Sequence, residues 1–462
     1  MDAGPTDNPT PVCPGCAARD RRIADLETRL AALEQKLEAA LRAGKRQAAP
    51  FSKGPPKPDS KPPGRTPGDD YGTKARRAVP SRVDETHEAT LPGACPACGG
   101  TDIDLTHAAD QYQAEIPRTI THRKFTVHVG RCRDCGRRVQ GRHPLQTSDA
   151  LGAAASQLGP DAQAAAVHLN KVAGLSHGKV AGFFKALFGL DVSRGGSCQA
   201  VLRAGRKARG NHAAILARVR RGDRVVPDET GWRVGGHPAW LHAFATPDAV
   251  AYHIDPRRGF DAAAAVLGGD YGGTMTHDGW APYLRFGRAG HQTCLAHLLR
   301  RCGELLATAT RGAVTFPRAV TALLQEGLAA RDARAAGTVS PADAAARARD
   351  LDGRMHALLR WTKTHPPNER LAAHLAANRG HLFTFLRHPG VDATNWRAEQ
   401  ALRPAVVNRK VWGGNRTWAG ARAQSVLMTV LQTAALHGLD SMAFLSRLLC
   451  APADRQPLLI PA

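Results

Sequence analysis

The segment from Arg224 to Asp278 constrains the fold of this chain more than any other. It begins with a short apolar, β-branched run that ends on an acid, VVPD, and two strand-like runs follow, PAWLHAFA at 238–245 and AVAYHI at 249–254. A helix-like run, FDAAAAVLGG, then precedes a fourth strand-like run, GTMTHD, which also ends on an acid. We therefore expect a sheet that carries Asp228 and Asp278 at one of its ends.

Three antiparallel strands, a helix and a parallel strand are the opening order of the ribonuclease-H-like fold, so the predicted class is α/β with such a core beginning at 221–293. In that fold the first acid lies on the central strand and the second at the end of the fourth. A third acid, Glu399, opens an arginine-rich helix after a largely helical stretch at 294–390, which we interpret as an insertion. Glu229 competes with Asp228, but successive strand residues point to opposite faces, so only one of them can face the site.

Each of these acids has an ordinary explanation when taken alone: a strand end, a turn former or a solvated helix residue. Taken together, they are three carboxylates that come from distant points of the chain and stand in otherwise apolar or basic surroundings. A two-metal site for displacement at a phosphodiester needs such a set. Because Mg²⁺ prefers oxygen ligands, the acids predict magnesium, or manganese in its place, as the catalytic cation.

The overall charge points to nucleic acid as the partner. The chain of 462 residues, long enough for two to four compact units, holds 63 Lys and Arg against 40 Asp and Glu, a formal net charge of +23. No apolar run approaches the roughly 18 residues of a membrane-spanning helix, so we expect no membrane association. The first residues, MDAGPTDNPTPV, lack the features of a signal peptide, and we therefore expect a cytoplasmic location.

Four cysteines predict a zinc-ribbon-like unit at 89–145. They form two CxxC pairs, each followed by glycine, and are Cys95, Cys98, Cys132 and Cys135. Four thiolates complete a closed tetrahedral site, so the zinc would be structural. The alternative is that these are buried free cysteines.

The first 43 residues combine a lone CxxC pair with a leucine-rich helix. Cys13 and Cys16 have no second pair nearby and remain unexplained. A heptad seam follows at steps of three and four, through Ile23, Leu26, Leu30, Leu33 and Leu37. The seam favours a coiled coil that joins two or more copies of the chain, and the alternative is one amphipathic helix packed on its own chain.

Two basic regions flank the cysteine unit. Residues 44–88 are rich in proline and lysine and predict an extended, disordered linker, either a solvated spacer or a basic arm on DNA. Residues 155–220 predict helices with tight turns, similar to a helix-turn-helix arrangement, in which Arg203, Arg206 and Lys207 share a face. That face either contacts DNA or is the solvated side of a small bundle.

The stretch 391–450 is expected to complete the core with amphipathic helices. Thr394 or Asn395 is suited to cap the helix that carries Glu399. Further along are three candidates for contact with the DNA backbone, whose alternative is plain solvated charge: Arg403, Arg409 and Lys410.

The motifs together resemble the insertion-sequence-66 family of bacterial DDE-type transposases. The matching pieces are DETGW at 228–232, TMTHDGWAPY at 274–283, CLAHLLR at 294–300 and TNWRAEQALRPAVVNRKVWGG at 394–414. Trp280 stands where the family has another aromatic residue in the second motif, and the first CxxC pair is not a family feature. In the third piece, Cys294 and His297 have no further ligands nearby, so we expect them to have a structural or DNA-positioning role.

The resemblance implies that Asp228, Asp278 and Glu399 are catalytic. It also implies a transposase that acts near the bacterial nucleoid, binding the inverted repeats at the ends of an element and a double-stranded target. Such an enzyme cuts DNA and joins the cut ends to the target without a covalent protein intermediate. Two alternatives remain: a non-catalytic zinc-ribbon DNA-binding protein, and a nuclease or resolvase on the same fold that does not transfer strands.

Overall fold

The chain is described here from a computed structural model, over residues 14–43, 78–152, 157–452 and 455–460. In the first range, side chains are described only for residues 18–34. Cys13, most of the predicted linker and the side chains of Cys16 and Leu37 therefore lie outside the described residues. Two compact units divide the chain, one formed by residues 51–123 and the other by the remainder.

The helices of the described residues are α1 (Pro14–Ala43), α2 (Pro160–Lys171), α3 (His177–Phe188), α4 (Arg194–Lys207), α5 (Arg209–Arg221), α6 (Phe260–Leu267), α7 (Leu295–Thr308), α8 (Thr315–Ala335), α9 (Pro341–Leu359), α10 (Pro366–Ala377), α11 (Thr384–Arg387), α12 (Trp396–Trp412), α13 (Trp418–Leu436) and α14 (Ser441–Cys450). The strands are β1 (Val129–Arg131), β2 (Arg138–Gln140), β3 (Arg224–Val234), β4 (His237–Ala245), β5 (Val250–Asp255), β6 (Thr274–His277) and β7 (Gly290–Thr293).

The main sheet is mixed and has the strand order β5-β4-β3-β6-β7. β3, β4 and β5 pair antiparallel, whereas β6 and β7 run parallel to β3 and to each other. The predicted meander, the helix α6 and the fourth strand are confirmed. β3 continues beyond the predicted acid to Val234, and it pairs with β6 only through Arg224 and Val225. The sheet therefore combines an antiparallel half and a parallel half around β3.

Helix α13 covers the backbone of β5, the strand at one edge of the sheet. The backbone N–H of Tyr252 donates to Thr429 Oγ1 at 2.9 Å, and that of Val250 donates to Thr433 Oγ1 at 3.2 Å. Both threonine side chains are fully buried. An uncovered edge strand presents unpaired backbone groups that attract other strands, and the two hydroxyls satisfy part of this one.

The helices α2, α4 and α5 share an apolar core with the sheet and the last two helices, whereas α3 packs in a separate cluster with α2 and α4. Val167 of α2 and Ala204 of α4 pack in one cluster with Leu431 of α13 and Leu445 of α14. Small residues on α4, an alanine and Gly205, permit α4 to approach α13 closely. A Cβ at Gly205 would lie 2.8 Å from Ala423 Cβ. The helices predicted at 155–220 are present, and one face of them is buried against α13 and α14.

The region from α7 to α11 is helical, as predicted, and has an apolar core of its own. Leu298, Leu324, Leu351, Leu375 and Phe385 are buried together there. This region joins the sheet at both ends, through β7 before α7 and through the segment that follows α11. It is inserted between the second and third candidate acids.

Helix α1 exposes its predicted seam. Ile23, Leu26, Leu30 and Leu33 are each about half exposed or more. The helix itself is present as predicted, and its association with a second copy stays a prediction. No helix in the described part of the chain combines the length and the apolar character needed to cross a membrane.

Both CxxC pairs form the same tight turn within their own unit. In the first, the N–H of Gly99 donates to the carbonyl of Cys95 at 2.8 Å, and in the second that of Gly136 donates to the carbonyl of Cys132 at 3.0 Å. Each glycine has a positive φ, 74° and 66° respectively, which accounts for the glycine after each pair. The second turn joins β1 to β2, whereas residues 78–123 contain no helix or strand.

Candidate active site

The pairing of β3 with β6 brings two of the predicted acids side by side. Val225 is the partner of Met275 in the parallel register. Counting three residues along each strand direction from this pair leads to Asp228 and to Asp278. The two acids therefore follow the last paired residues at the same number of steps, Asp228 within β3 and Asp278 directly after β6.

The third acid, Glu399, lies in the first turn of α12 and is within electrostatic range of Asp228. Burial raises the pKa of Asp228 to about 7, and the negative charges of Glu229, Asp278 and Glu399 also raise it. The side chain of Glu399 is 45% exposed, and its Oε1 lies 3.9 Å from His297 Nε2. The charges of Glu399 and Asp278 thus both act on Asp228, so the three acids are near enough to oppose one another electrostatically.

The structure separates the roles of Asp228 and Glu229. Only 3% of the Glu229 side chain is exposed. Its carboxylate accepts a hydrogen bond from Tyr283 Oη at 2.6 Å and one from Arg258 Nε at 2.8 Å, and a terminal nitrogen of Arg258 forms an ion pair with it at 2.7 Å. The Arg258 guanidinium lies 4.8 Å from the ring of Trp240 and 4.3 Å from that of Trp280. Glu229 is therefore occupied by internal partners, which leaves Asp228 as the acid of this pair that is available to a ligand.

A turn that requires glycine holds Asp278. Gly279 has a φ of 87°, and a Cβ there would lie 2.8 Å from His374 Cε1. The N–H of Gly279 donates to His277 Nδ1 at 3.1 Å, and the N–H of Trp280 donates to Asp278 Oδ1 at 3.0 Å. Burial lowers the pKa of His277 to about 3, so this imidazole is neutral and can accept from Gly279. The hydrogen bonds donated by the N–H groups of Gly279 and Trp280 therefore hold the loop after β6 in place.

The predicted cap of α12 has a different role. Asn395 is at the N-cap position, but its side chain accepts no hydrogen bond from the first turn of the helix. Instead, Asn395 Nδ2 donates to Asp228 Oδ2 at 3.3 Å, and its Oδ1 lies 3.1 Å from Cys294 Sγ. The expectation of a side-chain cap was wrong because a buried carboxylate and a buried thiol compete for the same amide.

Two of the predicted DNA-contact residues on α4 have partners within the chain. Arg203 donates to Gln163 Oε1 at 2.8 Å, and Lys207 Nζ donates to the carbonyls of Leu449 and Ala451, the latter at 2.8 Å. These side chains join α4 to α2 and to the end of α14. Their use in DNA contact stays a prediction.

The other four candidates differ in exposure. Arg206, Arg403 and Lys410 are exposed. Arg409 is half-buried and donates to the carbonyl of Gly231, so it links α12 to β3. The three exposed side chains remain the ones that are free to contact DNA phosphates without breaking an internal bond described for them.

The donor sets of the two predicted metal sites fit the predicted ions chemically. Hydrogen bonds from the backbone of Cys98 lower the pKa of the Cys95 thiol, and those from Cys135 do the same for Cys132, which favours the thiolates that zinc binds. The sheet edge offers carboxylate oxygens, which magnesium prefers. Within the described ranges, however, no three His, Cys, Asp or Glu side chains are grouped as metal ligands are.

Comparison with known proteins assigns the family. Residues 155–423, more than half of the chain, match the model described as the IS66 family of transposases. The chain therefore belongs to that family, and its class is that of the transposases. The matched region runs from α2 into α13 and includes all three acids.

A relative from Sinorhizobium fredii, the uncharacterized protein y4qI, is 27% identical over 53% of this chain and 50% of its own length. This chain therefore spans about half the length of that relative.

Proposed function

We propose that this protein is a DDE-type transposase that cuts DNA at the ends of an insertion sequence and joins the cut ends to target DNA. Asp228, Asp278 and Glu399 would be its catalytic acids. The observation that carries the proposal is the parallel register of β3 and β6, which supports a location of Asp228 near Asp278 in a chain of the IS66 family. The electrostatic effect of Glu399 on Asp228 adds the third acid to this pair.

The sheet supports a ribonuclease-H-like core for this chemistry. In the spatial order β5-β4-β3-β6-β7, the first acid lies on β3, the central strand. The second acid directly follows β6, which is the fourth strand of this sheet along the chain. Carboxyl ends of parallel strands meet at one edge, which is where open α/β sheets place ligands. The helices α7 to α11 would then be an insertion between the second and third acids.

The three acids would hold two magnesium or manganese ions. Such a pair would supply activation of the attacking oxygen and stabilisation of the leaving oxygen of an in-line displacement. The chain's own contribution is to hold the three carboxylates at one edge in spite of their repulsion. Glu229 takes no part as a ligand in this scheme, since Arg258 and Tyr283 occupy its carboxylate.

The reaction would proceed in two balanced displacements. Water attacks the phosphodiester at the end of the element, the P–O bond to the leaving strand breaks, and a 3′-hydroxyl is freed. That hydroxyl then attacks a phosphodiester of the target, so one phosphodiester replaces another and no external energy source is required. The net charge of +23 favours the approach of both DNA segments.

Further parts of the chain would assemble and position the complex. The exposed seam of α1 would join two or more copies, and zinc at the two CxxC turns would stabilise the N-terminal DNA-binding part. Arg206, Arg403 and Lys410 are the exposed candidates for DNA phosphates. Substituting Cys95→Ser should lower the zinc content of the purified protein without changing the magnesium dependence of cleavage.

The decisive experiment substitutes each acid by its amide and measures cleavage of labelled end DNA with Mg²⁺ or Mn²⁺. Asp228→Asn, Asp278→Asn and Glu399→Gln should each lower the rate by more than about 100-fold, since even outer partners of metal ligands contribute 10–100-fold. DNA binding should persist in a mobility-shift assay. The control is Glu304→Gln, an exposed acid on α7 that should leave cleavage unchanged.

Each other outcome selects an alternative. Cleavage that survives in an acid variant would remove that residue from the catalytic set. A wild-type protein that binds DNA but never cuts it would be a non-catalytic DNA-binding protein. Cleavage without joining of pre-cut ends to a target would indicate a nuclease or resolvase.

A further inference from the structure

One buried thiol is connected, through its neighbours, to all three candidate acids. Cys294, between β7 and α7, is 0% exposed. Its backbone N–H donates to the carbonyl of His277, the residue before Asp278, at 2.6 Å. The next backbone N–H, of Leu295, donates to the carbonyl of Ala393 at 3.0 Å. Cys294 is thus bonded to the strand that carries the second acid and adjoins the segment that leads to the third.

The side chain of Asn395 connects this thiol to the other two acids. Asn395 is 1% exposed. Its Nδ2 donates to Asp228 Oδ2 at 3.3 Å, its backbone N–H donates to Cys294 Sγ at 3.3 Å, and its carbonyl accepts from the N–H of Glu399 at 3.1 Å. One residue therefore contacts the first acid, the start of the helix that carries the third acid, and Cys294.

The orientation of the Asn395 amide determines where the thiol proton lies. Asn395 Nδ2 is the amide atom that donates to Asp228 Oδ2. Oδ1 then faces Cys294 Sγ at 3.1 Å, and an amide oxygen cannot donate. Cys294 must therefore be a neutral thiol that donates to Oδ1 and accepts from the backbone N–H of Asn395.

His297 extends the same set of contacts to the side chain of Glu399. Its Nδ1 lies 3.3 Å from Cys294 Sγ, and its Nε2 lies 3.9 Å from Glu399 Oε1. Cys294 is the N-cap of α7 and His297 lies in its first turn, so the imidazole connects the thiol to the third acid. Metal binding by this pair would require the thiolate and would therefore remove the donation from Cys294 to Asn395.

We propose that Cys294 and Asn395 are positioning residues that set the mutual geometry of Asp228, Asp278 and Glu399, with His297 orienting Glu399. The proposal rests on the proposed function, because it explains how acids far apart in the chain are held in one arrangement. It also gives the CxxH spacing at 294–297 a role within the site, as a neutral hydrogen-bonding group instead of a metal ligand.

The test compares two substitutions at one position with a matched control. Cys294→Ala removes the donor and acceptor, whereas Cys294→Ser keeps both in a hydroxyl. Cys302→Ala removes another fully buried thiol, two turns further along α7, that packs in the insertion core away from the acids. Melting temperatures show whether each variant folds, and the control shows what the loss of a buried sulfur does by itself.

Two readouts then distinguish positioning from plain packing. Amide hydrogen exchange in peptides covering 394–402 should be about fivefold faster or more in Cys294→Ala, because the Asn395 N–H loses its acceptor. It should be near the wild-type rate in Cys294→Ser and Cys302→Ala. The affinity for Mn²⁺, measured by calorimetry, should fall about 10–100-fold in Cys294→Ala and Asn395→Ala and be largely restored in Cys294→Ser.

The two readouts also separate this proposal from the function on which it rests. If Cys294→Ala and Cys302→Ala gave the same exchange rates at 394–402, the positioning role would be overturned. If the wild-type protein bound no Mn²⁺ while the exchange rates differed as expected, the positioning role of the hydrogen bonds between Cys294 and Asn395 would be supported and the two-metal function would be wrong. If Asn395→Ala kept wild-type Mn²⁺ affinity, the link to Asp228 would be wrong.

Discussion

The core of the helical insertion and the part of the sheet that carries the candidate acids, here named the acid edge, bury different kinds of side chain. In the insertion, leucine and phenylalanine side chains such as Leu298, Leu351 and Phe385 are buried against one another. At the acid edge, the buried side chains include polar ones such as His277 and Asn395. Apolar burial stabilises a fold, whereas burying polar and charged groups opposes folding unless each finds a partner. The first region contributes stability, and the second holds a binding geometry that costs stability.

Two aspartates show the contrast most directly. Asp352 in the insertion lies 3.9 Å from Arg379 and 3.8 Å from Arg387. Asp228 at the acid edge has three other carboxylates close enough to raise its pKa. The same residue type is thus placed among positive charges in one region and among negative charges in the other, as expected if only the second is meant to receive a cation.

The largest expected effect is in the insertion core. Leu351→Ala should lower the free energy of unfolding by about 2–5 kcal/mol, because it leaves a cavity in a close-packed cluster. Denaturant unfolding measures this, and Leu436→Ala, which is 52% exposed, should change it by less than about 0.5 kcal/mol. Mn²⁺ affinity at the acid edge should be unchanged. A loss below about 1 kcal/mol would show that the insertion is loosely packed and would remove the contrast.

An intermediate effect is expected at Arg258. Arg258→Ala should destabilise the fold by about 1–3 kcal/mol, since the Glu229 carboxylate stays buried with Tyr283 as its remaining partner described here. The double variant Arg258→Ala/Glu229→Gln should recover part of that loss, because an amide is easier to bury than a charge. A double-mutant cycle of unfolding free energies gives the coupling. Additive losses would mean that the stacking on Trp240 and Trp280 is what matters at this position.

The smallest effect has opposite signs in the two regions. Without added metal at pH 8, Asp228→Asn should stabilise the protein by about 1–2 kcal/mol, since it removes a charge buried among like charges. Asp352→Asn should instead be neutral or destabilising, because its carboxylate faces two arginines. Thermal unfolding of the two variants compares the signs, and a stabilising Asp352→Asn would contradict the distinction.

The gain at Asp228 also has a defined pH range. The pKa of Asp228 in the folded protein is about 7, above its ordinary value of 3.8, so the folded state loses stability as the pH rises between these values. Asparagine has no such loss. The gain from Asp228→Asn should therefore be absent near pH 4 and complete above about pH 7. A gain of equal size at both pH values would point to a cause other than the buried charge.

Much of the local structure follows from patterns within short windows of the chain. The meander, α6, β6 and the helical insertion were predicted correctly, since alternating or helical apolar spacing identifies such elements. The strand β7 was not predicted, because GHQT at 290–293 has neither an apolar run nor a pattern. β3 was predicted too short, since its continuation to Val234 depends on pairing with β4 rather than on its own residues.

The amino-acid order was enough to propose three acids and to end β6 directly before Asp278, because hydrophobic runs and their punctuation are local properties, whereas Asp228 lies inside β3 instead of at its end. Long-range contacts chose between Asp228 and Glu229, through Arg258 and Tyr283, and turned Asn395 from a helix cap into a partner of Asp228. They also gathered Cys294 into the same network. Such contacts join residues 29 to 167 positions apart, and they depend on the packing of whole elements, which no short stretch of residues encodes.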